Sequence, residues 1–398
     1  LGMFDPEDRV PYVGIPVEVI ESPANQALAL EVARQSLVLL KNNDGFLPLP
    51  KDIKAIAVIG PNADDPLVLR GNYFGTPTES VTILQGIRGL VSPSTEVLYA
   101  KGCGIDAPGR EGFAEALQIA EQADAAVMVM GLSQKLEGEE GQSAGTPEGV
   151  VSQGDRSTLD LPGVQEALIK AVAETGTPVI LVLLNGSALA VNWADEHLPA
   201  ILEAWYPGQG GGRAVAEALF GVTNPGGRLP VTFYKSVDQL PPFEDYAMAG
   251  RTYRYFTGEV LYPFGFGLSY TSFEYCDLSL SHDRLEGPEI VQIVCEVKNT
   301  GTVTGDEVVQ VYLRDDEATY PIPRHSLVGF KRVRLAPGGS ARVSFEIHPR
   351  RLACVDEQDR WVIEPGTFTL FVGSGQPGEA AGLSKTLKVI GEKIILSG

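Results

Sequence analysis

Two apolar runs, Ala125–Met130 and Val179–Leu184, have strand length and no polar interruption, as strands buried on both faces do. Ala55–Ile59 repeats the pattern, and Ala200–Trp205 follows it with one polar residue, Glu203. Between them lie segments with apolar residues at helical spacing: Glu111–Gln122, Val164–Ala173 and Gly212–Phe220. Ahead of them, Leu28, Val32, Leu37 and Leu40 predict an amphipathic helix over Ala24–Lys41, stopped near Asn42–Gly45 with Pro48 just beyond. Short apolar strands alternating with helices predict an α/β sandwich domain with a mainly parallel sheet covered on both faces. In such a sheet, ligands bind at the loops that follow the carboxyl ends of the strands.

Near residue 270 the period changes from helical to alternating. Ile290–Lys298, Glu307–Leu313, Leu327–Leu335, Ala341–His348 and Thr367–Gly373 place apolar residues at every second position. Turn clusters separate them: Asn299-Thr-Gly301, Ala336-Pro-Gly-Gly339 and Glu364-Pro-Gly366. This is the pattern of an all-β, immunoglobulin-like antiparallel sandwich. The segment Pro225–Tyr270, rich in Gly, Pro and Tyr, is expected to be mostly loop packed over the first domain. The expected organisation is a linker over 1–20, the α/β domain over 21–270 and the β-sandwich over 271–398.

Charge removes whole classes of partner. With 31 basic and 51 acidic residues, the net charge is −20, which repels nucleic-acid phosphates and anionic membrane surfaces. A neutral ligand such as a sugar carries no such penalty. No apolar run reaches the ~18 residues of a transmembrane helix. The four cysteines (Cys103, Cys276, Cys295, Cys354) form no CxxC and fit unpaired thiols. The four histidines are isolated, with no metal-ligand spacing. The chain starts without an initiating methionine or a three-part signal peptide, and its linker-like opening is expected to follow a longer upstream chain.

The candidate chemistry sits just after the strand Ala125–Met130. Leu136-Glu-Gly-Glu-Glu-Gly141 puts three carboxylates within four residues, and a Gly/Ser/Gln/Thr stretch leads on to Gly154-Asp-Arg156. Clustered carboxylates raise at least one pKa, as a general acid working near neutral pH requires. A solvated acidic loop tip fits the same residues. Gly208-Gln-Gly-Gly-Gly212 lacks the Lys-Ser/Thr ending of a phosphate loop, and Asn185-Gly-Ser-Ala-Leu189 is not a nucleophile elbow.

One family joins these segments in order. Ser36-Leu-Val-Leu-Leu-Lys-Asn42, Gly71-Asn-Tyr-Phe-Gly75, Gly131-Leu-Ser-Gln-Lys-Leu-Glu-Gly-Glu-Glu140, Gly154-Asp-Arg156, Leu159-Asp-Leu-Pro-Gly163 with Gln165, Ala204-Trp-Tyr-Pro-Gly208 and Tyr262-Pro-Phe-Gly-Phe-Gly-Leu-Ser-Tyr-Thr271 resemble the C-terminal α/β domain of glycoside hydrolase family 3, of the β-xylosidase/β-glucosidase type. Val297-Lys-Asn-Thr-Gly301, Gly305-Asp-Glu-Val-Val-Gln-Val-Tyr312 and Leu327-Val-Gly-Phe330 resemble its fibronectin type III-like domain. Gly2-Met-Phe-Asp-Pro6 is similar to the exit from that family's N-terminal barrel, so Asp5 is not proposed as the nucleophile.

The resemblance implies a retaining, exo-acting hydrolase of β-linked oligosaccharides or aryl glycosides. Its nucleophilic aspartate belongs to the barrel, and its acid/base glutamate belongs to this α/β domain. Glu139 fills the acid/base place as the second member of Glu137-Gly-Glu139, with Glu140 and Glu137 as alternatives. Tyr73 corresponds to an aromatic at the leaving-group subsite, and an ordinary packed loop tyrosine fits it equally. Asp155 and Arg156 are expected to anchor the loop as a charge-assisted pair. The aromatics of Tyr253–Tyr270 are expected to pack between domains. Family habit implies a periplasmic or secreted protein, and the mechanism needs no metal or organic cofactor. The alternative is a non-catalytic saccharide- or protein-binding module.

Overall fold

The computed structural model of the chain describes residues 2–72, 74–137 and 156–396. Its first half is one mixed sheet built from β1 (Val38–Asn42), β2 (Ala55–Ile59), β3 (Glu96–Ala100), β4 (Ala125–Gly131), β5 (Val179–Leu184) and β6 (Ala200–Glu203). The order is β1-β6-β5-β4-β2-β3, all parallel except β1, which runs antiparallel to β6 at the edge. The helices are α1 (Pro23–Ser36), α2 (Ile83–Leu90), α3 (Phe113–Glu121), α4 (Gln165–Glu174), α5 (Asn192–His197) and α6 (Gly211–Leu219). They form two apolar layers, one on each face of the sheet, as all-buried β4 and β5 require.

The helix expected over Ala24–Lys41 is shorter, and its apolar residues do different work. Pro23 and the Ser22 cap, which accepts a hydrogen bond from the Asn25 amide, start α1, and the chain turns extended at Leu37. Leu37–Leu40, an unbroken apolar run, then enters the sheet as β1 and is fully buried, whereas Leu28 and Val32 lie on the outer face of α1 at about 60% exposure. Four consecutive apolar side chains gain more from burial on both faces of a sheet than from one helical stripe. The elements α2, β3 and α5 had no sequence prediction. Of these, α2 is set by a capping box between Thr82 and Gln85.

The second half is all β. A five-stranded sheet contains Ser326–Leu335, Gly305–Asp315, Gly366–Gly373, Gly382–Val389 and the short Arg284–Leu285. It faces a three-stranded sheet of Ser340–Ile347, Val291–Asn299 and Phe273–Leu280. Val291, Ile293, Cys295 and Val297 alternate into the shared core with Val309, Val311, Phe368 and Leu370. All four cysteines are unpaired, and burial pushes the Cys103 and Cys295 thiols up to about 11.

The segment between the halves is mostly loop and packs against both. Tyr253 stacks on Phe264 with centroids 4.4 Å apart and meets the edge of Tyr312 in the sandwich. Its hydroxyl accepts the Leu327 amide at 3.1 Å. Gln310 and Gln376 of the sandwich donate to the carbonyls of Gly265 and Phe264 at 2.9 and 2.8 Å. These aromatics join domains, as their clustering in the sequence led us to expect.

Candidate active site

The carboxyl edge of the parallel sheet gathers the functional residues. Its floor is pinned by Gln165, the first residue of α4, which is fully buried. Gln165 Oε1 accepts the Gly131 amide at 2.8 Å, and Gln165 Nε2 donates to the carbonyls of Gly131 (2.8 Å) and Ile105 (2.7 Å). Asn62, just past β2, donates to the Leu132 carbonyl at 2.8 Å. The end of β4 is thereby fixed from both sides. The chain then makes one tight turn in which the amides of Leu136 and Glu137 both donate to the Ser133 carbonyl.

Glu137 leaves this turn with its carboxylate surrounded by donors. Its oxygens accept the Gly186 amide at 2.9 Å, the Ser187 amide at 2.7 Å and short hydrogen bonds from the Ser187 and Tyr206 hydroxyls. Asn72 Nδ2 donates to the Glu137 carbonyl at 2.6 Å. The donors come from three turns, one after β5, one after β6 and one at Gly71–Asn72. Two glycines permit this convergence. A Cβ at Gly186 would lie 3.2 Å from both Glu137 Oε2 and Tyr206 Cε2. Gly71, at φ +65°, takes the left-handed conformation and faces the Tyr206 ring.

Arg156 reaches the same cluster from the far side of the loop. Its guanidinium donates to Ser187 Oγ at 3.0 Å and to the carbonyls of Asp160 (3.1 Å) and Ala188 (3.4 Å). Burial lowers its pKa from the usual guanidinium range, an effect opposed by the charge of Glu137. Burial raises the Tyr206 phenol far above its ordinary value, with the charge of Glu137 and the bond to it acting in the same direction. Glu203, at the end of β6 and fully buried, is pushed up to about 8, first by burial and further by the charge of Glu137.

Of the residues singled out from sequence, Glu137 and Arg156 thus meet through Ser187. Glu139, Glu140, Asp155 and Tyr73 lie outside the described residues. Sequence reasoning missed Ser187, Tyr206, Asn72 and Glu203. The signals existed: Asn185-Gly-Ser187 and Ala204-Trp-Tyr206 each directly follow a buried strand, where loops turn toward ligands. Among the described residues no group of His, Cys, Asp and Glu could hold a metal.

The model of the glycosyl hydrolase family 3 C-terminal domain matches residues 37–270, and that of a fibronectin type III-like domain matches residues 307–376. The chain belongs to glycoside hydrolase family 3. It is 40% identical to a β-xylosidase of Formosa agariphila over 95% of its own length and 52% of that protein. It is 37% identical to the periplasmic β-glucosidase of Salmonella typhimurium over 94% of its own length and 52% of that protein. A solved β-glucosidase structure from Erythrobacter marinus superimposes with a TM-score of 0.83 at 31% identity, covering 98% of this chain and 53% of the other. The chain therefore spans about half the length of the curated relatives it matches. Among the described residues no helix is long and apolar enough to cross a membrane.

Proposed function

We propose that this chain supplies the acid/base half of a retaining, exo-acting β-glycosidase of the β-xylosidase or β-glucosidase type. The observation that carries the reading is the anchorage of Glu137. A carboxylate has about four lone-pair sites, and four donors fill those of Glu137. It is left with no position from which to hand over a proton, so it serves as a fastening for the segment that follows. That leaves Glu139, two residues on, as the proton donor in preference to Glu137, with Glu140 next in line.

In this mechanism Glu139 gives its proton to the glycosidic oxygen while a carboxylate of a barrel domain, in the same enzyme chain or a second one, attacks the anomeric carbon, forming a covalent glycosyl intermediate. Glu139, now a base, takes a proton from water. The resulting hydroxide equivalent displaces the barrel carboxylate from the anomeric carbon, restoring both groups and retaining configuration. Tyr73 lies next to Asn72 in sequence and would offer its ring face to the leaving group. Arg156 fastens the far end of the acid loop through Ser187 and Ala188, and Asp155 would add a charge-assisted pair with it. Substrates would be β-linked oligosaccharides or aryl glycosides, and the setting periplasmic or secreted, as in the Salmonella relative's name.

The test is turnover of p-nitrophenyl β-D-xyloside and β-D-glucoside by the native protein, with its intact mass determined on the same sample. Turnover by a species that carries this chain together with a barrel supports the reading and ranks the sugars. An inactive species that lacks a barrel and binds saccharide would replace it with a binding module.

A further inference from the structure

The hydrogen bonds that hold Glu137 trace back to one buried side chain. Glu203 Oε1 accepts the Trp205 amide at 2.9 Å, and Glu203 Oε2 accepts Asn185 Nδ2 at 3.0 Å. Trp205 sits at φ +59°, a conformation unfavourable for a bulky residue. The bond to Glu203 and that from the indole Nε1–H to the Ser36 carbonyl at 3.1 Å hold it there. The next residue is Tyr206, which donates to Glu137. Asn185 also donates to the Ser187 carbonyl at 3.0 Å, closing the turn that presents Gly186 and Ser187 to Glu137. We propose that Glu203 is a positioning residue for the acid loop: one buried carboxyl group fastens both turns that grip Glu137. This deepens the acid/base reading and rests on it.

The surroundings of Glu203 make the device proton-dependent. Its sheet partners, Val38 on β1 and Leu183 on β5, are apolar. The one lysine of β1, Lys41, turns away to the Asp195 carbonyl. The titratable groups around Glu203 are Glu137, Tyr206 and Tyr262, the last donating to Asp195 at 2.6 Å. Among the described residues no cation pairs with it. A protonated Glu203 is a neutral clasp. Once ionised, it is a buried charge with no counter-ion, facing a second carboxylate.

Trp205 reports on the clasp, and the chain has three tryptophans in all. Tryptophan emission of the chain is expected to change between pH 6 and 10 with a midpoint of about 8, and the change should vanish in Glu203→Gln, shown to be folded by its melting transition, whose carbonyl oxygen keeps the Trp205 bond while its amide nitrogen, a donor, gives up the bond from Asn185. In Glu137→Gln the midpoint should move down, because a like charge is gone. Persistence of the transition in Glu203→Gln, or an unmoved midpoint in Glu137→Gln, overturns the proposal. In the native barrel-containing enzyme, kcat of the wild type is expected to fall through the same pH range and that of Glu203→Gln to lack this limb. The emission results stand if Glu139 turns out not to be the acid. If the emission results fail while Glu139→Gln behaves as an acid variant, the Glu203 proposal alone falls.

Discussion

The guanidinium of Arg228 meets the carboxylate of Glu307 at 2.9 Å across the junction of the two domains, with the side chains only 8% and 1% exposed. Tyr275, in the sandwich, donates its hydroxyl to the same carboxylate at 2.5 Å. Removing one partner of such a pair strands the other charge in a dry site, at about 3–5 kcal/mol. Arg228→Ala is therefore expected to unfold at a clearly lower urea midpoint, whereas the double variant Arg228→Met/Glu307→Leu should recover most of the loss. A single-variant effect below about 1 kcal/mol would mean that water reaches the pair and that the junction opens in solution.

Much of this architecture was legible in the sequence because strands buried on both faces leave unbroken apolar runs. Ala55–Ile59 and Val179–Leu184 were located to the residue for that reason. Leu37–Leu40 misled because four apolar residues after a helical stretch also continue a helical stripe, and only the antiparallel partner β6 selects the strand. The site was legible as a carboxylate cluster after β4 but not as a network. Ser187, Tyr206 and Glu203 are ordinary residues whose roles arise when three loops, remote in sequence, converge on Glu137. No local pattern encodes that convergence.

Tyr206→Phe isolates one strand of the network. It removes the phenol that donates to Glu137 while keeping the ring that fills the space beside Gly71. The lost hydrogen bond to a partly buried carboxylate is expected to lower stability by about 1 kcal/mol. In the barrel-containing enzyme, kcat for substrates that need protonation should fall by roughly tenfold, the equivalent of about 1.4 kcal/mol in the barrier. Equal losses for activated and unactivated aryl glycosides would show that Tyr206 acts on binding rather than on placement of the acid.

His325 gives stability a pH dependence of a defined sign. It packs between Tyr253 and Tyr312 and hydrogen-bonds Gln376 at 2.9 Å. Burial lowers its pKa below the ordinary histidine value of 6.5, more than the bond to Gln376 raises it. The folded state then binds fewer protons than the unfolded state. The contribution is fully present above pH 6.5 and is lost as pH falls through the depressed value. Between pH 7.5 and 5, the melting temperature of the wild type is expected to drop further than that of His325→Phe. Parallel curves for the two proteins would rule His325 out as the source.

Glu139→Gln tests the acid assignment through the leaving group. An aglycone that departs as a stable phenolate needs little protonation, so 2,4-dinitrophenyl glycosides should react in the variant at close to the wild-type rate of glycosylation. Glycosides of poorer leaving groups, and unactivated disaccharides, should slow by about 10²–10⁴-fold. The variant also lacks the base for deglycosylation, so the covalent intermediate should accumulate with activated substrates. Azide, which needs no deprotonation to attack, should restore turnover and yield a glycosyl azide of retained configuration. If Glu139→Gln slows good and poor leaving groups by the same factor and azide has no effect, the proton comes from another residue. The same measurements on Glu140→Gln would then decide whether its neighbour delivers it.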